Sequence, residues 1–257
     1  MWTPLSTETQ NISQKDFENI LSGEIPALVV RDFYSENQCE EIIKKIETSK
    51  KTYFQKTKLE HIGPFLMSFT TKKKDYFEKS KEFQKINHDI FEKIENPSSK
   101  IFNMIQKILP SFSISLAEQD EGHFSPFVIR IHRKGKSIPI HKDNVTYEGK
   151  EYEISKIDQQ LSCVLHLQES ETGGDVIIYK NQWEKKDEKY RNIDFGYMPN
   201  VVSKEYCKIS NIKKGDLVII NPNYYHQVTK IMGETPRITL GMFLGIYNKK
   251  HKIVAWA

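Results

Sequence analysis

Cysteine is scarce in this chain. Cys39, Cys163 and Cys207 lie far apart and never form a Cys-x-x-Cys pair. Neither a disulfide framework nor a zinc ribbon is therefore expected, and a reducing cytoplasmic location suits three unpaired thiols. No apolar run reaches the roughly 18 residues of a membrane span. Residues 1–10 carry neither a basic stretch nor an apolar core, so no membrane segment and no secretory signal are expected. Glycine (12) and proline (10) are too few for a collagen-like or low-complexity chain. Neither sign of charge dominates, with 38 Lys and Arg against 34 Asp and Glu. The lysine clusters at 50–51, 72–74 and 185–186 are interleaved with acids and lack an aromatic pattern. They read as solvated surface, so no nucleic-acid partner is expected.

The 257 residues are 38% hydrophobic and 11% aromatic, enough to bury one sizeable core. One domain spanning residues 1–257 is expected. Residues 1–111 read as a largely helical support region. Residues 25–30 are apolar and β-branched, as in a buried strand. Ser35 and Gln38 have capping-box spacing ahead of Cys39, Ile42, Ile43 and Ile46 at helical period. Two more apolar stripes follow: Phe83, Ile86, Ile90 and Ile94, then Ile101, Ile105, Ile108 and Leu109. Asn96-Pro97-Ser98-Ser99 separates them.

From about residue 112 the period becomes strand-like. Short strands are expected at 127–132, 137–143, 161–168, 175–179, 216–221 and 238–245, with turns at 171–174, 213–216 and 221–223. The pattern predicts a mainly β fold with flanking helices, its core at 112–257 a β-sandwich or jelly roll. Residues 180–210 interrupt the pattern. They are polar and charged, with Trp183, Tyr190, Phe195, Tyr197 and Met198 among them, as in a lid or binding loop.

His141 and Asp143 occupy alternate positions of a strand-like segment, which would place both on one face. His226 follows a later strand. Two imidazoles and a carboxylate on one side of a metal leave positions open, the facial arrangement of non-haem Fe(II) oxygenases. Arg237 comes 11 residues after His226 and shares a strand face with Thr239. A guanidinium beside a hydroxyl is a suitable seat for a carboxylate. The order His-x-Asp, Gly-Asp turn, His, Arg-x-Thr is far more specific than any one part.

With these motifs the sequence resembles the Fe(II)- and 2-oxoglutarate-dependent oxygenases of double-stranded β-helix (jelly-roll, cupin-like) fold. The likeness spans roughly residues 125–247 and, more weakly, 29–46. It is carried by Pro139-Ile140-His141-Lys142-Asp143, Leu161-Ser162-Cys163-Val164-Leu165-His166-Leu167, Glu171-Thr172-Gly173-Gly174-Asp175, Gly215-Asp216-Leu217-Val218-Ile219, His226-Gln227-Val228 and Pro236-Arg237-Ile238-Thr239. It implies that His141, Asp143 and His226 form the catalytic iron centre and that Arg237 and Thr239 grip the distal carboxylate of 2-oxoglutarate. A narrower likeness, over residues 127–141, 173–183 and 215–256, is to standalone aliphatic halogenases that act on indole alkaloids without a carrier protein, and to their hydroxylase relatives. Those halogenases carry a small residue where Asp143 stands, which opens a halide position on iron. The resemblance therefore implies hydroxylation of an unactivated C–H bond in a small molecule (an amino acid, alkaloid or other natural product). It needs Fe(II), 2-oxoglutarate and O2, releases succinate and CO2, and requires no carrier protein.

Other residues have open roles. Arg130 and His132 share a strand face and touch either substrate, the near end of 2-oxoglutarate or a structural partner. Asn144 is a candidate brace behind Asp143. Trp183, Tyr224 and Tyr225 line a substrate mouth or simply pack. His166, opposite the Cys163, Leu165 and Leu167 face, reads as structural. Competing functional readings are a peptidyl or prolyl hydroxylase and a non-catalytic jelly-roll binding module.

Overall fold

Alternation along the strand Gln159–Gln168 sends Leu161, Cys163, Leu165 and Leu167 to one side and Ser162, Val164 and His166 to the other. The two sides meet different surroundings, and this division organises the molecule. The computed structural model describes residues 2–54, 58–192 and 195–257. In it, Gln159–Gln168 is central to a large sheet. Its order runs Leu5–Glu8, Ala27–Arg31, Leu217–Ile220, Gln159–Gln168, Arg237–Tyr247, Val128–His132, Glu60–Ile62, Thr52–Tyr53. Lys252–Trp256 and Ser113–Leu116 branch from Arg237–Tyr247. A smaller sheet of four strands faces it, in the order Tyr206–Ile209, Val176–Gln182, Tyr224–Val228, Ile138–His141. Eight strands alternating between two sheets in this way form a double-stranded β-helix.

The outer face of the large sheet is covered by helices. Glu36–Thr48 opens on the expected box: Gln38 N–H donates to Ser35 Oγ at 3.2 Å, and Ser35 N–H donates to Gln38 Oε1 at 3.0 Å. Asn96 caps Pro97–Ile108, and Pro97 at the first helical position costs no hydrogen bond. The stripes Cys39, Ile42, Ile43, Ile46 and Phe83, Ile90, Ile101, Ile105 pack onto Leu161, Cys163, Leu165 and Leu240 as one core. The inner face is left for the cavity. Among the described residues, no helix is long and apolar enough to cross a membrane.

The Gly-Asp turn before Leu217–Ile220 is structural. Asp216 takes Arg31 Nη1 at 2.5 Å and Lys213 N–H at 2.8 Å. Gly215 adopts φ +91, where a Cβ would lie 2.0 Å from the Tyr34 carbonyl oxygen.

Two boundaries differ from the sequence expectation. The strand expected over 137–143 is Ile138–His141, so Asp143 lies beyond its end. Residues 180–210 are not wholly an insertion. Val176–Gln182 extends into them, and Tyr206–Ile209 is a strand of the small sheet. The segment between these strands carries short 3-10 turns at Lys185–Tyr190 and Pro199–Val201; positions 193 and 194 are outside the described residues.

Candidate active site

His141 and His226 stand directly opposite each other in the small sheet. Ile138–His141 is the edge strand, where Pro139 can sit without depriving a neighbour of a hydrogen bond. The Pro139 carbonyl accepts from His141 Nδ1 at 2.9 Å, and the Tyr224 carbonyl accepts from His226 Nδ1 at 2.9 Å. A carbonyl can only accept, so both Nδ1 atoms carry the proton and both Nε2 lone pairs are free to bind a metal.

Asp143 completes the group by a loop rather than by strand alternation. Its N–H donates to the Pro222 carbonyl at 3.0 Å, which anchors it beside the turn leading to His226. Asp143 Oδ2 then lies 3.9 Å from His141 Nε2 and 3.6 Å from His226 Nε2. One ligand atom from each residue falls within 4.8 Å of the others. Burial and the neighbouring His226 push His141 down to about 3, leaving it in the neutral form that metals bind. Burial works to raise the Asp143 carboxyl, but His226, His141 and Arg130 outweigh it and keep it ionised.

The three residues open into a cavity of about 1060 Å³ between the sheets, lined by inward residues of both. Arg237, His132, Thr239 and His166 are all buried on its large-sheet wall. Their placement follows the strand register: Arg237 pairs with His132, and Thr239 lies between Arg130 and His166. Arg237 Nε, both His132 nitrogens and His166 Nε2 are buried without a hydrogen-bond partner among the described residues. Among the described residues Arg237 pairs loosely with Glu169, Nε to Oε2 at 3.8 Å. Unpaired buried donors on the inner face of a cavity fit a carboxylate-bearing guest.

Arg130 is clamped. Its guanidinium lies 4.8 Å from the Phe65 ring on one side, and a Cβ on Gly241 would come within 2.8 Å of Nη1 on the other. It has no carboxylate within ion-pair distance among the described residues, and it lines the cavity between Asp143 and Arg237. Phe195 presents its ring to His141, centroid to centroid 5.4 Å. The segment bearing Phe195 is strapped down by charge. Arg191 pairs with Glu148 and Glu188, and Glu188 Oε1 also accepts from Trp183 Nε1 at 2.8 Å and Tyr197 OH at 2.6 Å.

Three residues whose roles the sequence leaves open, Asn144, Trp183 and Tyr225, are not among the cavity lining. Asn144 caps the turn Val145–Glu148, accepting from Tyr147 N–H at 3.0 Å and donating to Asn223 Oδ1 at 2.9 Å. Trp183 packs against Tyr147 and the buried Lys142 ammonium, behind the cavity wall. Tyr225 alternates with inward His226 and so points outward. It is fully buried against Tyr197, and its hydroxyl donates to Asp187 at 3.1 Å. It anchors the 184–203 segment instead of facing the cavity. Conversely, His166 does face the cavity. The same period-2 pattern that assigned Cys163 and Leu165 to the core carried that signal.

The sequence profile of the carrier-protein-independent halogenase WelO5 family matches residues 2–257. An L-gamma-glutamyl-L-propargylglycine hydroxylase from Streptantibioticus cattleyicolor is 29% identical over 120 residues, 46% of this chain and 44% of that protein. The matched stretch is thus less than half of that relative's length. Among solved structures, an N-substituted L-amino acid dioxygenase from Burkholderia ambifaria superposes with a TM-score of 0.64 at 12% identity, covering 95% of this chain and 91% of that one. HygX from Streptomyces hygroscopicus, with nickel and 2-oxoglutarate bound, superposes with a TM-score of 0.55 at 10% identity, covering 91% and 86%. At these identities the likeness establishes the shared fold.

Proposed function

This chain belongs to the WelO5 family of carrier-protein-independent halogenases, and from that membership we propose an Fe(II)- and 2-oxoglutarate-dependent oxygenase that hydroxylates an unactivated C–H bond of a free small molecule. The observation that carries the reading is the converging set His141 Nε2, His226 Nε2 and Asp143 Oδ2. Two imidazoles and one carboxylate suit Fe(II) and leave part of its coordination sphere for other ligands. When bound, iron and 2-oxoglutarate supply the oxidising power, consuming O2 and releasing succinate and CO2.

The chain's own residues do the rest. Backbone carbonyls fix the two imidazole tautomers. Arg237 and Thr239 hold the distal carboxylate of the cosubstrate, and the cavity wall keeps water from the reacting carbon. Arg130 offers its free guanidinium edge to a carboxylate of the substrate or of the near end of the cosubstrate. Amino-acid derivatives are a first substrate class to screen, since two of the proteins similar to this chain are named for such substrates.

The test is an anaerobic mixture of protein, Fe(II) and 2-oxoglutarate, opened to O2 with a panel of amino-acid derivatives and alkaloids. Substrate-dependent succinate with a product 16 mass units heavier is expected, the mass of one inserted oxygen atom (about 16). Protein that binds neither metal nor 2-oxoglutarate would instead be a jelly-roll binding module.

A further inference from the structure

The wall that seats Arg237 also holds an acid and a second base that the mechanism above does not use. Glu169 bridges them. Its Oε1 lies 2.6 Å from His166 Nδ1, and its Oε2 lies 3.8 Å from Arg237 Nε. Arg237 thus already has a partial counter-charge before any cosubstrate arrives. A dicarboxylate entering here brings a second negative charge next to Glu169, in a place with little water to absorb it.

His166 is built to offset that charge. Its ring is fully buried, and it sits directly across the sheet from Thr239. The Glu169 carboxylate can only accept, so Nδ1 carries a proton in either ionisation state. The variable atom is Nε2, which is buried without a partner among the described residues. In the neutral ring Nε2 presents a lone pair, which repels a carboxylate. In the cationic ring it presents an N–H, which binds one. The charged and titratable groups around the ring are Glu169 in the following turn, Arg237 beyond it, and Asp216 from the neighbouring turn. His132 and Arg130 lie on the strand that pairs with Arg237 and Thr239. In the empty cavity, burial foremost and Arg237 besides push the His166 imidazole down, against the pull of Glu169.

We infer that His166 takes up a proton when 2-oxoglutarate binds and donates Nε2–H to its distal carboxylate, so cosubstrate affinity is coupled to pH. The inference rests on the cosubstrate reading above. The proton comes from the buffer and no covalent bond changes. The sign follows from linkage. Binding raises the pKa of His166, so its contribution to affinity is complete below the empty-cavity pKa. It is lost as pH rises through the pKa of the loaded state.

Calorimetry tests this directly. 2-Oxoglutarate is titrated into Mn(II)-loaded protein at one pH, in phosphate and in Tris, whose ionisation enthalpies differ. Between the two pKa values the difference in heat reports net uptake approaching one proton per site in the unmodified protein, with affinity falling by up to about tenfold per pH unit across that window and levelling above it. His166→Gln is expected to bind more weakly, with no uptake and a flat pH profile. His132→Asn is expected to retain the uptake. Nitrogen-15 spectra of the Zn(II)-loaded unmodified protein should show one imidazole becoming imidazolium on adding 2-oxoglutarate, which keeps the test valid if His166→Gln fails to fold. Tight binding without proton uptake overturns the inference and leaves the oxygenase reading intact. So does uptake that survives in His166→Gln or vanishes in His132→Asn. Protein that never binds 2-oxoglutarate overturns both.

Discussion

His141 and His226 are register partners across the small sheet, with rings 4.1 Å apart, and each is oriented by the carbonyl two residues before it. The pairing needs no loop to close over it, so the two imidazoles are held by the sheet itself. A metal centre placed on rigid strands keeps its geometry without the metal's help.

The first prediction follows from this. His226→Ala removes one of the three proposed ligands while leaving its strand neighbours Val176, Ile178 and Val228 packed. Metal affinity should fall by more than about 100-fold, beyond what loss of an outer support costs, while the far-ultraviolet spectrum stays unchanged. Calorimetry with Mn(II) reads the first, circular dichroism the second. Undiminished metal binding would remove His226 from the centre.

Arg237 carries the second prediction. Its guanidinium is buried, with Nε lacking a hydrogen-bond partner among the described residues and only a loose ion pair to Glu169, so a bound carboxylate gains a desolvated partner. Losing one partner of such a pair costs on the order of 2–5 kcal/mol. Arg237→Gln should raise the Kd for 2-oxoglutarate by more than about tenfold, while metal binding through His141, Asp143 and His226 persists. A Kd equal to that of the unmodified protein would place the carboxylate elsewhere.

Most of this site was legible because strand period and chain order carry it. His141, His226, Arg237 and Thr239 all lie in strands, where alternation decides which side chains share a face. Strand alternation does not account for Asp143: the strand ends at His141, and the Pro222 carbonyl brings the carboxylate beside the two imidazoles. The strand Tyr206–Ile209 stayed hidden because its face pattern includes an exposed Tyr206 and Lys208, which read as loop. For Tyr225 the sequence leaves cavity mouth and packing both open; period 2 sends neighbours to opposite faces, and beside inward His226 it packs against Tyr197. The Glu148, Arg191 and Glu188 network joins residues up to 43 positions apart, a distance at which local pattern is silent.

That network frames the third prediction. The segment between Gln182 and Tyr206 is held to the small sheet by Tyr225 on Asp187 and by Tyr197 N–H on the Ile140 carbonyl, is tied to Glu148 by Arg191, and is braced internally by Glu188 on Trp183 and Tyr197. It carries Phe195 to the edge of His141. We expect it to act as a lid, its amides exchanging more slowly once substrate is bound. Arg191→Ala should cut the tie to Glu148 and speed exchange in the segment by more than about tenfold, with little change in the large sheet. Identical exchange with and without a turned-over substrate would make the segment fixed surface.

The last prediction is the reaction outcome. The family to which this chain belongs is named for halogenases, yet here a carboxylate stands within reach of both imidazole Nε2 atoms. Asp143 is ionised in its site, and a second anion beside it would meet like charge in a place of low dielectric. On the proposed reading, in which Asp143 is a metal ligand, halide meets two obstacles, a filled ligand position and like charge. With a substrate identified through succinate release, the unmodified protein should give only hydroxylated product even at about 1 M chloride, a salt level that screens surface charge but not a buried group. Asp143→Gly should remove both obstacles and admit chloride, detectable as a chloride-dependent change in the spectrum of the metal-loaded protein, though chlorinated product also requires other residues to hold the halide near the substrate carbon. Mass spectrometry separates the outcomes by the isotope pattern of chlorine. Chlorinated product from the unmodified protein would mean that Asp143 leaves the metal during turnover, and that its hydrogen bond to Pro222 does not fix it as a ligand.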